Sequence, residues 1–302
     1  MRFYLTRFLV ITLVIFSSCR KDFSTSLSAG KLTFSKDTVY LDTVFTNIGS
    51  STYNLKVYNK SKKAISIPTI KLGKGENSYY RLNVDGTSGK IFENVEILAK
   101  DSIYIFIETT IDYTEITDPL YTDAIVFESV ENVQEVQLVT LVKDAYFLYP
   151  SKSSEGLIET IKTGEDTNGE NIHVNGFYLT DNTTFTNEKP YVIYGYAAVD
   201  EAKTLNIEAG SRIHFHANSG LLITSGGSLN AQGVVSSDPE LMEGEIIFEG
   251  DRMEPGFAEV PGQWQTIWLF NGSTNNTFNH VTIKNSTVGL LSEGNQDDIS
   301  KL

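Results

Sequence analysis

The sequence predicts an all-β protein, a β-sandwich followed by a β-solenoid. Between 31 and 146, apolar and polar residues alternate in short runs separated by turn-forming residues. From Thr204 onward, Leu205, Ile213, Leu221 and Leu229 recur eight residues apart, with Gly and Asn filling the gaps. A third observation, an apolar leader that ends at the only cysteine, sets where such a chain would reside.

The leader comes first. Arg2 and Arg7 supply positive charge, FLVITLVIF (8–16) is apolar, and Ser17 and Ser18 lead into Cys19. A basic start, a short apolar run and small residues before a cut describe an export signal over 1–18. The run falls short of the roughly 20 apolar residues that a spanning helix needs. A lone cysteine cannot close an internal disulfide. Its setting resembles the lipobox of bacterial lipoproteins, with Phe16 where that group usually has Leu. The resemblance implies cleavage before Cys19 and acylation of its sulfur and new amine, including palmitate. Several buried chains, at about 0.8 kcal/mol per CH₂, hold a protein at a membrane. Arg20, in place of Asp, points to the outer membrane, with the folded part periplasmic or surface-exposed. Residues 19–30, RKDFSTSLSAG after the cysteine, are polar and Ser-rich and read as a flexible tether.

The net charge is −14. Phosphate contacts need clustered Lys and Arg, so a nucleic-acid partner is excluded as an expectation. Adhesion to anionic lipid by charge is excluded on the same ground. Ca²⁺ is compatible with an acidic surface, but no residue pattern supports it, and no cofactor is expected.

Residues 31–146 read as strands at 32–45, 53–61, 64–72, 79–86, 102–111, 123–130 and 135–145. Period-2 alternation rich in β-branched and aromatic residues marks half-buried strands. About seven of them at this spacing make a sandwich. Asn47-Ile48-Gly49 and Asn59-Lys60-Ser61 hold the turns after early strands. In this the region resembles the immunoglobulin-like domains of the ASPM/SPD-2/Hydin (ASH) and DUF1573 type. That resemblance implies a spacer or binding module.

Residues 147–302 are read as a lead-in, to about 203, followed by solenoid coils. Short strands at a fixed period, with inward apolar residues and tight Gly or Asn corners, are what a solenoid requires. Three strands of about eight residues give a coil of about 24. LNIEAGSRIHF (205–215), GLLITSGGSLNAQG (220–233) and the later run from Gly262 to Leu290 resemble right-handed parallel β-helix proteins of the pectate-lyase-like architecture. Ala209 stands where Pro is usual there. Such solenoids normally carry more coils and a cap. The polar end, EGNQDDISKL (293–302), therefore raises the expectation that the chain is truncated or its open end covered.

The chemistry is sparse. His214 and His216 flank Phe215 and are the one pair placed to share a metal. No third ligand is visible, so the expectation is two solvent-facing imidazoles and no metal. His173 and His280 are isolated, and Asp297-Asp298 is a tail charge pair. Arg212 and Lys284 face outward without forming a lyase-like set of base, cation and acids. Trp264, Trp268, Tyr194 and Tyr196 are candidates for stacking on the apolar faces of sugar rings. Thr38, Thr43 and Ser102, each after an Asp and before Val or Ile, resemble sites that some Gram-negative bacteria O-glycosylate.

The first expectation is therefore a non-catalytic envelope lipoprotein that binds a polysaccharide or an envelope protein. The second is a polysaccharide lyase or glycoside hydrolase whose catalytic coils lie unrecognised or beyond residue 302. The third is an assembly component that docks through its open solenoid end. Fold does not choose among them, because function resides in sites.

Overall fold

A computed structural model describes residues 24–294, and Cys19 and Asp297-Asp298 lie outside them. The described chain is all-β apart from single 3₁₀ turns. It forms two compact units: 24–41, 51–109 and 122–139 make the first, and 42–50, 110–121 and 140–294 the second.

The earlier strands make two sheets. One runs Ser26–Leu27, Ile65–Leu72, Leu120–Glu128, Val133–Lys143, Thr38–Phe45, with Ile91–Ile97 also paired to Ile65–Leu72. The other runs Thr33–Phe34, Tyr53–Tyr58, Ser102–Thr109, Tyr80–Val84, Thr87–Gly89. Alternation has the expected result: Leu55, Val57, Ile103, Ile105 and Ile107 are all buried. Phe34 of the second sheet meets Phe127 of the first with ring centroids 4.8 Å apart.

Three features depart from the sequence reading. Part of the stretch read as tether is built into the sheet. Ser26–Leu27 pairs in parallel with Ile65 and Ser66, and Ser28 is buried, its N–H donating to Ser66 O at 2.8 Å. The strand read over 79–86 ends at Val84 and the chain turns back at once. Asp85 and Gly86 both have positive φ, as a two-residue hairpin turn requires, so Thr87–Gly89 pairs back onto Leu82 to Val84. Ile91–Ile97 is a strand the alternation did not show. Pro68, lacking an N–H, lies opposite Asn94, whose φ is 53°, and the unpaired step there breaks the period of two.

The later strands make three parallel sheets, and the chain visits them in rotation. The first contains Tyr146–Leu148, Tyr191–Ile193, Arg212–Phe215, Ile246–Gly250 and Val281–Ile283. The second contains Asn171–Tyr178, Tyr196–Val199, Gly220–Ile223, Ile267–Leu269 and Leu290–Ser292, with Thr160–Glu165 joining antiparallel at its edge. The third contains Thr184–Phe185, Thr204–Ile207, Ser228–Gln232 and Thr277–Asn279. Leu205, Ile213, Leu221 and Leu229 are all buried in one core. Leu205 lies directly beside Leu229 in the next pass, 24 residues on. The rotation begins at Tyr146, so residues 147–203, read as a lead-in, already carry strands of all three sheets. A hairpin between Leu148 and Tyr178 and excursions at 233–245 and 251–263 interrupt the period without breaking the registers.

Candidate functional site

Each of four first-sheet strands ends in an inward position at Leu148, Ile193, Phe215 or Gly250. The next residue in each is Tyr149, Tyr194, His216 or Asp251. Backbone bonds hold these four in register: Tyr194 N–H donates to Leu148 O at 2.8 Å, His216 N–H to Ile193 O at 2.9 Å and Asp251 N–H to Phe215 O at 3.1 Å. They therefore rise along one corner at the strand spacing of about 4.8 Å. Gly195 makes the corner possible at φ 70°. A Cβ there would stand 2.8 Å from Asn175 O and 3.0 Å from the Pro150 ring.

Three side chains of this ladder touch in succession. The Tyr194 ring stacks on the His216 imidazole with centroids 4.4 Å apart. His216 Nδ1 lies 2.7 Å from Asp251 Oδ2. In the neutral ring Nδ1–H donates to that carboxylate, which leaves Nε2 as an acceptor at the surface. The imidazole is about half exposed and the carboxylate only 13%. Tyr149 is 66% exposed. Burial, then the Asp251 charge, push the Tyr194 phenol above its ordinary value, so it stays a neutral donor. The neighbouring cation is occupied: Arg252 pairs with Glu254 at 2.8 Å and lies over the Phe257 ring. The ladder thus offers the exposed Tyr149 ring and the Tyr194 phenol at one end and a hydrogen-bonding His–Asp pair at the other.

His214, expected beside His216 at the surface, is buried instead. It does point outward, since Ile213 and Phe215 point in, but the Phe45 ring covers it at 4.9 Å. Its Nδ1 lies 3.1 Å from Gly250 O and 3.7 Å from Glu249 Oε1, and Lys284 holds the other oxygen of Glu249 at 2.7 Å. Among the described residues no group of three or more His, Cys, Asp or Glu converges on a metal-sized site.

Burial pushes the His214 imidazole below the ordinary 6.5, helped by Lys143 and opposed by Glu249, the Gly250 carbonyl and Asp251. The folded protein keeps His214 neutral where the unfolded chain protonates it. Stability is therefore full above about pH 6.5 and falls as pH drops below it, by up to about 1.4 kcal/mol per unit. The urea midpoint is expected to fall between pH 7.5 and 5.5, and His214→Gln to narrow that fall. An equal fall in the variant would assign the effect to another group.

Two stacking candidates are core residues. Trp264 is fully buried, stacked on Phe215 at 4.3 Å, and donates Nε1–H to Lys284 O at 2.9 Å. Tyr196 is 7% exposed and packed with Ile161, Ala198 and Leu222. Trp268 is half-buried beside Phe270 and donates to Glu293. Of the four, only Tyr194 belongs to the ladder. Arg212 is engaged by carbonyls of Gly210, Ser211, Leu241, Met242 and Glu245, so it ties down the 233–245 excursion. His173 sits 3.3 Å from the Thr160 hydroxyl on the exposed hairpin, and His280 turns the chain at φ 44°. Thr38, Thr43 and Ser102 are half-buried strand residues.

Tyr149 and Asp251 were not singled out in the sequence. The signal was the tripeptide ends FLY, VIY, HFH and EGD, but unequal spacing hides their equivalence.

No protein-family model matches the chain, and no curated protein matches it. A solved family 123 glycoside hydrolase from Clostridium perfringens, described for glycolipid glycan hydrolysis, is similar at 8% identity and a TM-score of 0.26, over 39% of this chain and 30% of that one.

Proposed function

We propose that this chain is a lipid-anchored protein of the outer membrane that binds a glycan along the corner ladder Tyr149–Tyr194–His216–Asp251. The ladder carries the reading. A sugar ring has an apolar C–H face and a rim of hydroxyls. Tyr149 and Tyr194 match the first, and His216 Nε2 and the Tyr194 phenol the second. The backbone register sets these groups one above another along the corner, an elongated surface that suits a polymer better than a small molecule.

In this reading the earlier strands form an immunoglobulin-like sandwich and the later ones a right-handed parallel β-helix. The rotation through three parallel sheets supports the helix, and the two facing sheets support the sandwich. The leader and Cys19 support the anchor. Cells fed labelled palmitate are expected to label the full chain and not the Cys19→Ser variant, and labelling of both would remove the anchor from the proposal.

The binding test uses soluble protein starting at Arg20, titrated calorimetrically against neutral and acidic polysaccharides while unsaturated sugar ends are followed. Binding without turnover is expected, weakened about tenfold by Tyr194→Ala and again by Tyr149→Ala. Silence across the panel would overturn the glycan reading.

A second reading, a polysaccharide lyase or glycoside hydrolase, draws support from the His216–Asp251 pair. A buried carboxylate that fixes an exposed imidazole is how a general base is oriented. Release of sugar ends that His216→Gln abolishes would favour it.

A further inference from the structure

We infer that the outer face of the sheet that carries Ser102–Thr109 is a separate binding site for a carboxylated sugar. This does not rest on the corner ladder, and the residues involved all belong to the first unit. Along Ser102–Thr109 the inward residues are isoleucines, while Tyr104 and Phe106 point to solvent, 47% and 44% exposed. Their rings lie nearly parallel, 14° apart in plane and 6.1 Å between centroids. The two stacked rings, held on a rigid strand, form an exposed apolar platform.

Polar groups border the platform. Phe106 pairs across the sheet with Asn83, and Asn83 with Ser88, whose hydroxyl accepts from Asn83 Nδ2 at 3.1 Å. Arg81, Asn83, Ser88, Lys90, Phe106 and Glu108 line a cleft of about 470 Å³. Lys56 reaches over the other end, with Nζ 5.0 Å from the Tyr104 centroid. Arg81 pairs with Glu108 at 3.6 Å, which leaves Lys90 at the cleft and Lys56 over Tyr104 as the cations beside the platform. Two lysines that form no ion pair among the described residues stand out on a chain carrying −14.

Each group has a distinct role toward one occupant. Phe106 and Tyr104 take the C–H face of the ring. Asn83 and Ser88 meet its hydroxyls. Lys90 donates one proton to Glu76 O at 2.6 Å, which leaves two for a carboxylate. The excess of positive charge selects an acidic sugar over a neutral one.

The test titrates the soluble protein with a galacturonate tetramer and, separately, with a neutral galactose tetramer. The acidic probe is expected to bind, the neutral one about tenfold more weakly, and added salt to weaken the first. Phe106→Ala and Lys90→Ala are each expected to lower acidic binding about tenfold. Phe106 is exposed and Lys90 half-buried, and the thermal midpoint of each variant serves as the folding control. Absence of acidic binding, equal binding of both probes, or full binding by Phe106→Ala would overturn the site. Loss of acidic binding in the Tyr194 variant would assign it to the corner instead.

Discussion

Replacing Trp264 by Ala is expected to destabilise the second unit by about 3–5 kcal/mol, the range for truncating a buried Trp. Three observations place it there. The indole is fully buried, its ring stacks on Phe215 at 4.3 Å, and its N–H donates to Lys284 O. Truncation opens a cavity beside Phe215 and leaves a carbonyl of the last first-sheet pass without its donor. Trp264→Phe keeps most of the volume and loses only the donor, so it should cost about 1–2 kcal/mol. Urea unfolding followed by circular dichroism measures both, since removing an indole changes the fluorescence itself. A loss below about 1 kcal/mol for the alanine variant would mean that the site collapses around the gap.

Asn59→Ala is expected to cost about 3 kcal/mol, and Asn59→Asp at least as much. Asn59 is 3% exposed, and its Nδ2 stands 2.8, 3.1 and 2.9 Å from the carbonyls of Lys63, Ile97 and Leu98. Its Oδ1 accepts Ser61 N–H at 3.0 Å. One side chain therefore ties the turn at 59–63 to the end of Ile91–Ile97. The aspartate variant separates shape from hydrogen bonding, because it has nearly the same volume but turns an acceptor toward three acceptors. If Asn59→Asp kept the wild-type thermal midpoint, the role would be packing, and the bonding account would fail.

The sequence made this turn visible as Asn59-Lys60-Ser61 but could not show what Asn59 holds. Its partners at Ile97 and Leu98 lie in a stretch whose alternation Asn94 breaks. Legibility elsewhere followed the same rule. Leu205, Ile213, Leu221 and Leu229 were readable because two coils in a row, from Tyr191 to Gln232, run without interruption. Tyr146–Leu148 was not readable as the start of the rotation, because a hairpin separates it from Tyr191–Ile193. The aromatics fared by parity. Ile267 and Leu269 point in, so Trp268 points out, as alternation requires. Trp264 lies before the strand begins, where the chain is still turning, and alternation no longer predicts its direction. His214 followed alternation correctly and still misled. Facing outward on a strand does not mean facing water when another ring covers the face.

The excursions at 233–245 and 251–263 also bear on how this chain can change over generations. Strands of three to five residues fix the pairing of one pass on the next, while the corners absorb large differences in length. A codon gained or lost at a corner alters only a surface loop. The same event inside Leu221–Ile223 would turn every following inward side chain of that strand to the outside. Two kinds of position thus coexist along one coding sequence. Those in the two long excursions are open to new lengths and new surface chemistry. Those in the strands are nearly closed to insertion and deletion. A library of short random insertions, sorted for folded protein, should recover survivors clustered at 238–242 and 254–260 and almost none within the strands between them.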